Sequence, residues 1–224
     1  MNREEGHLRA EGTPAGHDRH SRMVLNSSGV LEHFWTHLLE RRTRGSLNKE
    51  DAVRYAFFHA LTSEGHMHPA DIHLETPHPA LGGQREVDLL VPPTAARPGV
   101  LAEFKFDRRR QQGHVNRTDR VAAAFLDLYR LGAYHTSGDW ERLFIYLTEG
   151  EMAGHFRSPT LGLRSFFDDS QPLALGTLLG HSQGKTFHRR LADLTSKATV
   201  ELFYRADAED LHLRVYRVQP GVTP

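Results

Sequence analysis

Hydrophobic periodicity is missing from residues 1 to about 24, which are polar and contain glycine and histidine; this stretch predicts a flexible tail. It begins at Gly29. From there to Arg44 the residues Val30, Leu31, Phe34, Trp35, Leu38 and Leu39 fall on one stripe of a helix. Ser27 or Ser28 can cap that helix, arginines crowd its C-terminal end and Gly45 stops it. A second helix starts after Asn48 and runs to about Thr62, with Val53, Phe57, Ala60 and Leu61 facing inward. Three strands follow, Asp71 to Thr76, Arg85 to Val91 and Gly99 to Phe106, separated by clusters of proline and glycine.

The segment Asp107 to Arg117 is polar and basic and predicts a loop. An amphipathic helix from Asp119 to Leu131 then buries Val121, Ala124, Phe125, Leu128 and Leu131. Leu143 to Leu147 is a continuous apolar run, which fits a strand covered on both faces. Residues 150 to 184 predict only short helical pieces. A last helix, Phe187 to Lys197, precedes two alternating strands, Thr199 to Arg205 and Leu211 to Val218, turned at Ala206 to Asp210. These elements predict an α/β fold in which helices flank a central mixed sheet, with a helical N-terminal extension and a C-terminal hairpin. Residues 25 to 224 form one domain in this reading, with 150 to 218 as its C-terminal elaboration. A length of 224 residues suits it.

Lysine plus arginine number 28, and so do aspartate plus glutamate, so any surface for nucleic acid must be local. The absence of cysteine excludes a disulfide framework and thiolate metal sites. With no apolar run of membrane-spanning length and no hydrophobic leader, a soluble cytoplasmic protein is the expectation.

Candidate chemistry lies in two strands. Asp88 sits inside Glu86-Val87-Asp88-Leu89-Leu90-Val91, where an aspartate is disfavoured. In Leu101-Ala102-Glu103-Phe104-Lys105-Phe106, Glu103 and Lys105 share one face and Ala102, Phe104 and Phe106 take the other. Pairing the strands can bring Asp88, Glu103 and Lys105 together. Two carboxylates about 4 Å apart repel by roughly 4 kcal/mol at an effective dielectric near 20, so such a pair makes most sense around a cation. Two carboxylates and an amine are the parts needed to hold a divalent ion beside a phosphodiester and to activate water. Taken alone, Glu103 and Lys105 fit the solvated face of a half-exposed strand better than a catalytic role.

The order helix, three strands, helix, strand, with Asp88 followed by Glu103-Phe104-Lys105, resembles the PD-(D/E)XK nuclease superfamily and its restriction-endonuclease-like fold over roughly residues 46 to 148. Val87 stands where the motif's name has proline. The resemblance implies a nuclease that hydrolyses phosphodiester bonds, most naturally in DNA, with Mg²⁺ as cofactor and Mn²⁺ able to substitute. Asp88, Glu103 and the backbone carbonyl of Phe104 would be the metal ligands, and Lys105 would position water and offset charge on the transition state. It also implies an accessory acid from the preceding helix. Glu50 shares the helical spacing of Val53 and Phe57 whereas Asp51 does not, and Glu75 at the end of the first strand is a further option.

The basic run Arg108, Arg109, Arg110, Arg117 and Arg120 fits either a phosphate-backbone contact beside that centre or a solvated loop. Asp127 and Arg130, three apart, can pair on the helix surface; similar helices follow the E-x-K strand in some nucleases of this type. His66, His68, His73 and His78 lack recognised ligand spacing. Cutting two strands would favour a homodimer. Two other functions stay open: an inactive nucleic-acid-binding or assembly module of the same fold, and a small-molecule phosphodiesterase.

Overall fold

The computed structural model describes residues 28–78, 86–108, 116–134, 138–181 and 197–221. The expected N-terminal tail, Arg109, Arg110 and residues 187 to 196 of the expected last helix lie outside them. Two helices come first, α1 (Ser28–Thr43) and α2 (Glu50–Ser63). Gly45, at φ 68°, takes the left-handed position that ends α1. Strands β1 (His73–Pro77), β2 (Glu86–Val91) and β3 (Gly99–Asp107) follow, then α3 (Arg117–Ala133) and β4 (Trp140–Glu149). Short elements come next: α4 (Gly150–Arg157), α5 (Arg164–Asp168), β5 (Leu173–Ala174) and α6 (Leu175–His181). Strands β6 (Thr199–Ala208) and β7 (Leu211–Gln219) complete the order.

The strands form one seven-stranded mixed sheet in the order β1-β2-β3-β4-β7-β6-β5. Strands β1, β2 and β3 are antiparallel neighbours, and β3 and β4 are parallel, joined through α3. The expected C-terminal hairpin is present, and β7 pairs antiparallel with β4, so it extends the central sheet. Its turn is tighter than expected: only Glu209, at φ 53°, and Asp210 separate β6 from β7.

Helices cover both faces. On one side Val30, Phe34 and Leu38 of α1 and Val53, Phe57 and Leu61 of α2 pack with Leu89, Phe104, Leu143, Ile145 and Leu147. On the other, Val121, Phe125 and Leu128 of α3, Phe156 of α4 and Phe166 of α5 pack with Leu101, Phe144, Tyr146 and Tyr216. Strand β4 therefore sends alternate side chains into two apolar layers, the reason it reads as an unbroken apolar run. Gly99 starts β3 because a Cβ there would lie 2.5 Å from the Trp140 ring on β4. Among the described residues no helix is long and apolar enough to cross a membrane.

Two local expectations are corrected. Asp71 belongs to a 3₁₀ turn, Pro69–Asp71, capped by His68, whose Nδ1 accepts from the Ala70 N–H at 3.2 Å, so β1 starts at His73. Asp107 ends β3 and is buried: the Tyr146 hydroxyl donates to Asp107 Oδ2 at 2.7 Å, and Arg120 lies 3.3 Å from Oδ1. A buried aspartate needs such partners, and both come from elements that local sequence does not connect to it.

Candidate active site

The site lies where β2 and β3 meet, between α2 and α3. The β2–β3 register pairs Val91 with Val100, Leu90 with Leu101 and Leu89 with Ala102. One step further sets Asp88 across from Glu103. There the Asp88 side chain takes part in the pairing, its Oδ2 accepting from the Phe104 N–H at 2.8 Å. The N–H and C=O of one residue in an extended strand point the same way, so the Phe104 carbonyl is also on the Asp88 side.

Glu103 is 5% exposed. Its Oε1 is buried without a hydrogen-bond partner. Burial and the neighbouring Asp88 and Asp127 carboxylates push the Glu103 carboxyl up to about 10. In the absence of a cation the Glu103 carboxyl therefore holds its proton at neutral pH.

Lys105 follows on the same face of β3. Its Nζ lies 3.8 Å from Glu50 Oε2 and 3.8 Å from Asp127 Oδ2, so α2 and α3 grip it from two directions. Burial works against its charge, but Asp127 and Glu50 more than offset this, and the ammonium is held above its ordinary range. Asp127 is itself raised to about 6, by burial first and against the pull of Lys105 and Arg130. Glu50 also accepts from the Phe106 N–H at 3.1 Å; burial raises its carboxyl, with Lys105 opposing.

The structure thus brings Asp88, Glu103, Lys105 and Glu50 together around the β2–β3 junction. Asp51 stays at the rim, with 61% of its side chain exposed, 3.8 Å from Arg54. Glu75 adopts φ 52° between the Leu74–Leu89 and Thr76–Val87 pairs, which places it across from Asp88. Its Oε1 accepts from Arg54 at 2.9 Å rather than contacting Asp88. Of the basic run, Arg108 is exposed; Arg117 is exposed and donates to Glu151 at 2.8 Å; Arg120 is turned inward on Asp107 and the Arg108 carbonyl.

Two participants escape a sequence reading. Arg54 is buried in α2 and donates to Asp88 Oδ1 at 2.7 Å as well as to Glu75. The signal that could have found it is its place four residues after Glu50, an arginine inside an otherwise apolar stripe. Asp127 does pair with Arg130, at 2.9 Å, as expected from spacing, but it is 8% exposed and faces Lys105.

The donor set available to a metal is two carboxylates and a carbonyl, hard oxygens of the kind Mg²⁺ accepts alongside retained waters. The orphaned Oε1 of Glu103 fits that use, because a buried acceptor without a donor gains from a cation. Among the described residues no three histidine, aspartate or glutamate side chains are disposed to hold an ion by themselves. Water and substrate would have to complete the shell. No protein-family model, curated protein or solved structure matches this chain.

Proposed function

We propose that the protein is a Mg²⁺-dependent nuclease of restriction-endonuclease-like fold that hydrolyses phosphodiester bonds, with DNA as its substrate. The observation that carries this reading is the Asp88–Glu103 pair, set side by side with one buried oxygen unpartnered and with the Lys105 ammonium next along the strand. The antiparallel β1-β2-β3 unit followed by α3 and a parallel β4 agrees with the same family.

Asp88, Glu103 and the Phe104 carbonyl would hold the ion. Bound there, magnesium supplies Lewis acidity to the scissile phosphate and to the attacking water. Lys105 is kept protonated, so it acts as a donor and a fixed positive charge, not as a base. It orients the water and stabilises charge gathering on the phosphoryl oxygens. Water oxygen bonds to phosphorus, the bridging P–O bond breaks, and the water proton leaves to solvent while the departing sugar oxygen takes one up. Glu50 and Asp127 hold Lys105 in place from either side. Arg108 and Arg117, with Arg109 and Arg110, supply contacts to the phosphate backbone.

A second reading, a catalytically inactive binding module of the same fold, is favoured by one observation: Asp88 already has both oxygens engaged within the protein. Incubation with supercoiled plasmid, linear DNA, RNA and a small phosphodiester, with Mg²⁺, with Mn²⁺ or with chelator, separates the readings. Metal-dependent cutting of DNA, lost in Lys105→Ala, supports the nuclease. Binding without cutting in either metal supports the module, and turnover of the small diester alone supports a different phosphodiesterase.

A further inference from the structure

Arg54 is the one cation in the described site that touches Asp88. Its guanidinium spans two carboxylates, Asp88 Oδ1 at 2.7 Å and Glu75 Oε1 at 2.9 Å, with Asp51 at 3.8 Å. The side chain is only 11% exposed and Asp88 19%, so little water screens that contact, whereas the Glu75 and Asp51 carboxylates reach solvent. Burial opposes the charge, but Asp88 and Glu75 more than compensate. Glu75 is aimed at Arg54 by a backbone conformation that non-glycine residues rarely adopt, so the fold accepts local strain to anchor the fork.

We infer that Arg54 is an internal counter-ion which competes with the divalent cation for Asp88 and thereby sets the affinity of the site. This rests on the magnesium reading given above. Without metal, the one positive charge of the guanidinium is shared between Asp88 and Glu75, while Glu103 remains next to them with an unpartnered oxygen. A cation that approaches Asp88 and Glu103 meets a fixed positive charge on Oδ1 of Asp88. It must share that carboxylate or displace the fork toward Glu75 and Asp51. Each carboxylate oxygen has a second lone pair, so sharing is stereochemically open. Sharing leaves a weaker ligand than an unshared carboxylate. Arg54 is on this account a positioning residue: it orients Asp88 together with the Phe104 N–H, and it limits how strongly the site takes metal.

The test is calorimetric titration of Mn²⁺ into the metal-free full chain, comparing wild type with Arg54→Gln, Arg54→Met and Arg54→Lys, each checked for native circular dichroism. Two neutral variants are used so that one folding failure leaves the other to read. Neutral replacement should tighten Mn²⁺ binding by about tenfold, and lysine, which keeps the charge, should stay within about threefold of wild type. The neutral variants should also gain more melting temperature from saturating Mn²⁺ than wild type does. If wild type binds Mn²⁺ and the neutral variants bind it equally or more weakly, the inference is overturned while the magnesium reading survives. If no form binds Mn²⁺, the magnesium reading fails and takes this inference with it.

Discussion

The Lys105 ammonium lies 3.8 Å from the Asp127 carboxylate, so the Glu103–Lys105 face of β3 is tied to the middle of α3. Glu50 holds the same ammonium from α2 at the same distance. A lysine shared by two carboxylates has one orientation, and that orientation is what fixes its charge beside Asp88 and Glu103. Replacing Asp127 by asparagine keeps the shape and removes one of the two anchors. Under the nuclease reading kcat falls by about tenfold, equivalent to roughly 1.4 kcal/mol of transition-state stabilisation, with KM for DNA little changed. Steady-state cleavage kinetics check this. A comparable rise in KM with kcat intact would place Asp127 in substrate binding instead.

Helix α2 carries the site and the core on one inward stripe, with Glu50 and Arg54 in its first turns and Phe57 further along. Phe57 meets Phe104 edge-on, ring centroids 5.6 Å apart, so it supports the very residue whose backbone binds Asp88. Phe57→Ala should cost about 3–5 kcal/mol of stability. Tyr55, two residues earlier and 54% exposed, should tolerate alanine within about 0.5 kcal/mol. Urea unfolding of the two variants against wild type measures the contrast, and comparable losses at both positions would contradict the packing described.

Much of this arrangement is legible in the sequence, and the exceptions have physical causes. Val121, Phe125 and Leu128 mark α3 by their spacing, and Asp88 betrays itself as a carboxylate in the middle of an apolar strand. Strand β4 proves longer than its apolar run because Glu141 and Arg142, though charged, are buried. Arg142 donates to the Tyr134 carbonyl at 3.0 Å. Helices α4 and α5 are too short for a period to repeat, and residues such as Met152, Phe156 and Phe167 get their burial from distant strands. The pairing of β7 with β4 is likewise a long-range event with no local mark. At the site, chain spacing shows which residues can converge, but Arg54 and the inward turn of Asp127 depend on how helices dock on the sheet.

Glu103 stores instability for use. A carboxyl raised from 4.5 to about 10 favours the folded state fully below the unfolded value, and that contribution is lost as pH rises toward 10. Glutamine cannot ionise and avoids this loss. Metal-free Glu103→Gln should therefore melt above metal-free wild type, by about 1–2 kcal/mol at neutral pH. The gap should close near pH 4.5 and widen in alkali. Melting curves in chelator across that range test it. A variant less stable than wild type at every pH would mean that Glu103 is satisfied in the metal-free protein.

Whether Asp88 and Glu103 share one cation is answered by anomalous diffraction from crystals grown or soaked with Mn²⁺. The arrangement described here requires a single strong anomalous peak about 2.0–2.3 Å from a carboxylate oxygen of each residue, on the Phe104 carbonyl side of β3. A map with no peak between those two side chains, or with manganese bound only elsewhere on the protein, contradicts it.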